Sequence, residues 1–162
     1  MAEVSFPKDK ELSKTLSDLL GREVKVKGMS APADLKAGDC FVGGYDDGKG
    51  ALEAGWVSDV PVSVSLAAAL TLVPAGVAKE AAQTKKISGD LRDNVREVVN
   101  IAANSFVGKR VRLVEFRAPQ EPLPAPWQQW LAQPQRSCHF EVSVAGYLQG
   151  RLSLYAASAP AP

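Results

Sequence analysis

Histidine occurs once in this 162-residue chain, and cysteine twice, at Cys40 and Cys138, with no Cys-x-x-Cys spacing. A soft-ligand zinc site wants four ligands, and three such residues cannot supply one. The two cysteines are read as buried thiols rather than a disulfide. Charge of one sign is also missing: 19 Lys and Arg face 18 Asp and Glu, a formal net charge of +1. A nucleic-acid binder needs a basic excess to displace counterions, so that class is excluded. No uninterrupted apolar run is long enough for a membrane. The uncharged stretch 60–78 is broken by Pro74 and Gly76, leaving a helix of about 20 Å where a bilayer core needs about 30 Å. The first residues lack the basic-then-apolar order of a secretory signal, and the expected location is the cytoplasm.

The sequence does hold a globular balance, 46% hydrophobic and 23% charged. That fits one domain with its own core. Leu12, Leu16, Leu19 and Leu20 recur at helical spacing over 8–20, with Gly21 as a stop. Val24 and Val26 alternate with charges, a strand with one wet face. Residues 29–38 read as a loop, and 40–45 and 51–57 as a hairpin around Asp46-Asp47-Gly48-Lys49-Gly50. Ser58 or Asp59 can cap a helix opened by Pro61, and Pro74 restarts the chain into a second one through about Thr84. The clearest helix spans 90–107, ended by Gly108. A strand over 110–117, a Pro-rich loop over 119–135, a last hairpin of 137–145 and 151–156, and a disordered tail at 158–162 complete the chain.

A weak repeat runs through this order. Gly21-Arg-Glu-Val24-Lys-Val26 returns 87 positions later as Gly108-Lys-Arg-Val111-Arg-Leu113. Gly44-Tyr45-x-x-Gly48-Lys49 returns as Gly146-Tyr147-x-x-Gly150-Arg151, at an offset of 102. The difference is absorbed by the Pro-rich loop. The expected fold is α+β: a duplicated α/β unit whose strands form one largely antiparallel sheet with helices packed on a face. Residues 1–157 then make one domain of two pseudo-repeats, about 8–57 and 90–157, joined by helices over 60–84.

On a wheel of about 100° per residue, Leu91, Val95, Val98, Val99, Ala102 and Phe106 fall on one face of the 90–107 helix. Asp93, Glu97, Asn100 and Asn104 form a polar stripe opposite, flanked by Arg92 and Arg96. Most polar stripes are merely solvated. This one spends two mid-helix asparagines, each costing about 0.5 kcal/mol against Ala. An outward carboxylate one turn before a carboxamide can dock a cation and hold a water.

Asp93-Asn-Val-Arg-Glu97-Val-Val-Asn100 resembles the acidic-or-Ser, three residues, Glu, two residues, Asn motif of the CheC/CheX/FliY family of chemotaxis phosphatases. The ordered context over about 8–157 is similar to that family too. The resemblance implies a duplicated α/β unit, and hydrolysis of the aspartyl phosphate on a response-regulator receiver domain such as CheY. Glu97 would pair with the receiver's lysine, and Asn100 would orient the attacking water. Asp93, Arg96 and Asn104 would contact the partner. The receiver would supply the Mg²⁺, so this chain would hold no cofactor. At the offset of 87, Glu97 and Asn100 fall on Lys10 and Ser13, leaving one site per chain. That is the CheX-like pattern, which implies a homodimer. Asn104 stands where the family usually has a small residue, the Leu-Pro that commonly follows the next strand is absent from Phe116-Arg-Ala-Pro-Gln, and the 119–135 loop has no counterpart. These departures support an alternative, a catalytically silent binding module of the same fold.

The remaining features read as structural. His139 has no serine or carboxylate motif beside it. Lys109, Arg110, Arg112 and Arg117 suit an exposed sheet edge, where charge discourages aggregation. Trp127 and Trp130 are taken as packed on the core rather than as a partner patch. The glycine-rich run 43–50 lacks Gly-Lys-Ser/Thr before a helix and is no phosphate loop.

Overall fold

Gly21 has φ 62°, the left-handed conformation that closes a helix, and its N–H returns to the Ser17 carbonyl. The helix it ends, α1 (Asp9–Leu20), leads into β1 (Val24–Met29). After a 3-10 turn at Ala37–Asp39 come β2 (Phe41–Asp46), β3 (Leu52–Ser58), α2 (Val60–Leu70), α3 (Ala75–Thr84) and α4 (Gly89–Ile101). A second 3-10 turn, Ala102–Ser105, precedes β4 (Arg112–Arg117), α5 (Ala125–Ala132), β5 (Arg136–Val144) and β6 (Gln149–Ala156). This computed structural model describes residues 3–30, 35–132 and 136–157. The tail expected to be disordered, 158–162, lies outside them.

The six strands make one antiparallel sheet in the order β1-β5-β6-β3-β2-β4. Exchanging β1 with β4, β2 with β5 and β3 with β6 turns that order into itself, read from the other edge. The fold is thus α+β, with β1 and β4 as edges; of the basic residues expected at an edge, Arg112 and Arg117 lie on β4, and Lys109 and Arg110 lie just before it. Three of these are paired: Lys109 with Glu53 at 2.6 Å, Arg112 with Asp46 at 3.1 Å and Arg117 with Glu115 at 3.0 Å.

Helices α1, α2 and α4 bury Leu12, Leu16, Val62, Leu66, Val95 and Val98 with Trp56, Phe140, Leu152 and Leu154 in the main core. Asp59 caps α2 by accepting from Val62 N–H at 3.1 Å, and the same carboxylate accepts from Arg151 N–H at 2.9 Å. One cap thereby joins a helix to a strand of the other half. Both thiols are free and pushed up to about 12 by burial, although Cys138 is only half-buried.

The structure corrects the expected elements in three places. The helix over 90–107 stops at Ile101, because Val107 is captured in extended backbone by Ser5: their N–H and carbonyl groups exchange bonds of 2.8 and 2.9 Å. Gly108 is therefore not a helix stop. Its φ of 88° serves the next turn, where a Cβ would overlap the Glu3 carbonyl. The two helix ends of the repeat are consequently not equivalent, and the offset of 87 does not run back along the helices. Setting the buried Leu12 and Leu16 on the buried Val95 and Val99 instead pairs Glu97 with Lys14 and Asn100 with Ser17.

The third correction is the Pro-rich loop, which contains α5. Pro126 is tolerated because it sits in the first helical turn, where a missing N–H leaves no bond unmade. This helix covers the sheet face opposite α4. Trp127 is 5% exposed and lies on Gly44, where a Cβ would come within 2.7 Å of the indole. Trp130 and Leu131 lie against Gly55. Packing was the expected role of the tryptophans, and helix α5 is its means. Trp127→Ala should therefore cost about 3 kcal/mol or more in denaturant unfolding, as truncation of a buried tryptophan does.

Candidate functional site

Helix α4 is started by Ser88, whose hydroxyl accepts from Leu91 N–H at 3.2 Å. Leu91, Val95, Val98 and Val99 are buried, as the wheel predicts. Asp93, Arg96, Glu97 and Asn100 are all exposed. Asn104 is exposed as well, but it stands in the 3-10 turn rather than on the helix. The stripe therefore runs straight over Asp93, Glu97 and Asn100 and then changes pitch.

Two contacts from β2 set how α4 lies. At Gly43 a Cβ would overlap Val99 Cγ1, so the helix rests directly on the strand backbone. Two residues on, the Tyr45 hydroxyl donates to the Val99 carbonyl at 2.7 Å, satisfying a carbonyl in the last turn. Full burial pushes the Tyr45 pKa well up, which keeps that donor protonated. Sequence reasoning missed both residues, although a Gly-Gly pair inside a predicted strand is a signal of close backbone approach.

Glu97 and Asn100 are surface neighbours three residues apart, with Cβ atoms about 5–6 Å from each other by helix geometry. Neither side chain has a hydrogen-bond or ion-pair partner among the described residues, nor does that of Arg96. The other flanking arginine is different. Arg92 donates to Glu121 at 2.6 and 3.0 Å and lies over the Phe116 ring at 5.1 Å. Glu121 in turn accepts from Ala118 N–H at 2.8 Å. Arg92 thus ties α4 to the turn after β4, while Arg96 and the acid–amide pair are left to solvent. A carboxylate, a carboxamide and a guanidinium in this arrangement can pair a cation, orient a water and meet an anion.

The first half offers no such surface. On α1 the Ser13 hydroxyl donates to the Val24 carbonyl at 2.5 Å, Ser17 accepts from Val24 N–H at 2.9 Å, and Lys14 pairs with Asp18. Those side chains close α1 onto β1. Elsewhere, His139 Nδ1 lies 2.6 Å from the Ser153 hydroxyl, a contact within the sheet face, and burial lowers its pKa. No group of three or more His, Cys, Asp or Glu among the described residues could hold a metal ion. No helix among them is long and apolar enough to cross a membrane.

No protein-family model and no curated relative matches the chain. Solved structures do. FliY from Thermotoga maritima matches with a TM-score of 0.56 at 14% identity, over 91% of this chain and 82% of that one. The CheX–CheY–BeF3–Mg²⁺ complex from Borrelia burgdorferi gives 0.55 at 14% identity, over 92% and 94%. The FliG–FliM complex from H. pylori gives 0.58 at 13% identity, over 92% and 86%. The chain therefore has the CheC/CheX/FliY-type fold, as its motif and element order implied.

The Arg92–Glu121 pair yields a pH test. Hydrogen bonds from Arg92 hold the Glu121 carboxyl below its ordinary value. Its stabilising contribution is complete above the unfolded carboxylate pKa of about 4.3 and is lost as pH falls through the lower folded value. The side chains are 31% and 37% exposed, so solvent screens the pair. Wild type should exceed Glu121→Gln in stability by at most about 1 kcal/mol above about pH 5. The gap should close as unfolding is measured toward about pH 2.

Proposed function

We propose that this protein hydrolyses the aspartyl phosphate of a response-regulator receiver domain, in chemotaxis or two-component signalling. The observation that carries the reading is the free pair Glu97 and Asn100. They stand one turn apart on the exposed face of α4, in a fold shared with CheX and FliY. The reaction needs a water held in line with the phosphorus, because phosphoryl transfer asks for positioning and charge stabilisation more than covalent help. The Asn100 carboxamide would accept from that water and orient it. The water oxygen attacks phosphorus, the bond to the receiver aspartate breaks, and inorganic phosphate leaves beside a free carboxylate. Glu97 would pair with the receiver's lysine on docking, an ion pair that sets register more than affinity. Arg96 and Asp93 flank the contact, and Asn104 borders it. The Mg²⁺ would be the receiver's own, and the site of action the cytoplasm, where receivers work. As in CheX-like proteins, two copies would act as a homodimer.

A second reading, a silent binding module of the same fold, draws on the equal likeness to FliM, which in one of these structures is bound to FliG. It also draws on Asn104, whose exposed side chain borders the pair. One assay separates the two readings. A phosphorylated receiver should lose phosphate faster when the protein is added, and Asn100→Ala should remove most of that gain, on the order of a hundredfold. Glu97→Ala is the folding control, with stability within about 0.5 kcal/mol of wild type, as at an ordinary surface site. Receiver binding that survives Asn100→Ala, with no acceleration by wild type, would establish the binding module instead.

A further inference from the structure

Helix α2 ends in a Schellman motif. Val73 N–H donates to the Ala68 carbonyl at 2.8 Å, and Leu72 N–H to the Ala69 carbonyl at 3.3 Å. The left-handed position of this motif belongs by preference to glycine, which has no Cβ to clash. Here it is leucine: Leu72 has φ 58°. The other non-glycine residues with positive φ among the described residues are Lys85 and Gln120, both polar. Leu72 is also 78% exposed, well above the next large hydrophobic, Val107 at 48%. An isolated exposed leucine needs no explanation. A leucine that is exposed, strained and rigidly presented does, because glycine or asparagine would remove the first two costs together.

The presentation is rigid on both sides of the turn. The Thr71 hydroxyl donates to the Ala67 carbonyl at 3.1 Å, and the Tyr147 hydroxyl donates to the Val73 carbonyl at 2.6 Å. Both neighbours of Leu72 are thus held, and its own side chain points to solvent. Its place is beside the candidate site: Asn94 of α4 reaches Thr71, the residue before Leu72, at 3.5 Å. Asn94 is a surface neighbour of Glu97, one turn along the helix.

We propose that Leu72 is an apolar anchor for the receiver domain that docks on α4, an inference that rests on the function proposed above. The polar stripe can set register and orient a water, but it offers no apolar centre. Stable interfaces draw most of their affinity from a few desolvated anchors. Leu72 supplies one, on the turn that Asn94 of α4 reaches through Thr71. It acts in binding and takes no part in the chemistry.

The test uses two variants that suit the left-handed backbone, Leu72→Gly and Leu72→Asn. Their affinity for the receiver domains of the same organism, each loaded with beryllofluoride to mimic the aspartyl phosphate, is measured by calorimetry. Both variants should melt no lower than wild type and bind about tenfold more weakly. In turnover with phosphorylated receiver they should raise KM and leave kcat unchanged. Unchanged affinity in both variants, with wild type binding, would overturn the anchor and leave the phosphatase reading standing. A lower melting temperature for both would also overturn it, by showing that Leu72 holds the fold. Wild type that binds without hydrolysing, with both variants weakened, would support the anchor and defeat the phosphatase. Wild type that binds no receiver would overturn both.

Discussion

The contact between Val99 and Gly43 governs how the molecule presents the candidate site on α4. With no Cβ on the strand, α4 sinks until a valine methyl touches β2 backbone. Tyr45 then fixes the last turn through the Val99 carbonyl and packs edge-on against Phe106 at 5.3 Å. Depth and rotation of the helix are set together. Once Val95, Val98 and Val99 point inward, helical geometry sends Glu97 and Asn100 to solvent without further help. Any side chain at Gly43 would lift α4, and the pair would move with it.

Successive strand residues face opposite sides of a sheet, so the neighbouring glycine does the same service for the other layer. Gly44 admits Trp127, and α5 seats there as α4 seats on Gly43. The Gly-Gly pair thus lets two helices approach one strand from both faces. The two halves differ in what holds their helices. Helix α1 uses Ser13 and Ser17 to bind the start of β1, whereas α4 is held from beneath by Tyr45 and from one side by Arg92. Its outer face is left without a structural duty.

Much of this was legible in the residues. The period of Leu91, Val95, Val98 and Val99 located the buried side of α4, and the exposed pair followed from it. Alternating valines pointed to paired strands in one antiparallel sheet, but the Gly-Tyr match does not align within it: Gly44-Tyr45 lies inside β2, whereas Gly146-Tyr147 lies between β5 and β6. The end of α4 was not legible, because Ala102 and Phe106 continue the apolar period into the 3-10 turn. Gly108 also mimics a helix stop, although its glycine answers to the Glu3 carbonyl. Helix α5 was hidden by Pro122, Pro124 and Pro126, which read as breakers until one is seen to sit at a helix start. Leu72 was hidden for the opposite reason. A leucine after an Ala-rich helix reads as one more core residue, and only the backbone reveals its left-handed turn.

On the proposed function, the outer face of α4 meets a receiver domain. Chemical-shift mapping of the labelled protein, titrated with a beryllofluoride-loaded receiver, tests it most directly. Shifts should concentrate on Glu97, Asn100 and their neighbours on α4, with the Trp127 and Trp130 indoles on the opposite sheet face unmoved. Shifts centred on α5, with the α4 amides unchanged, would contradict it.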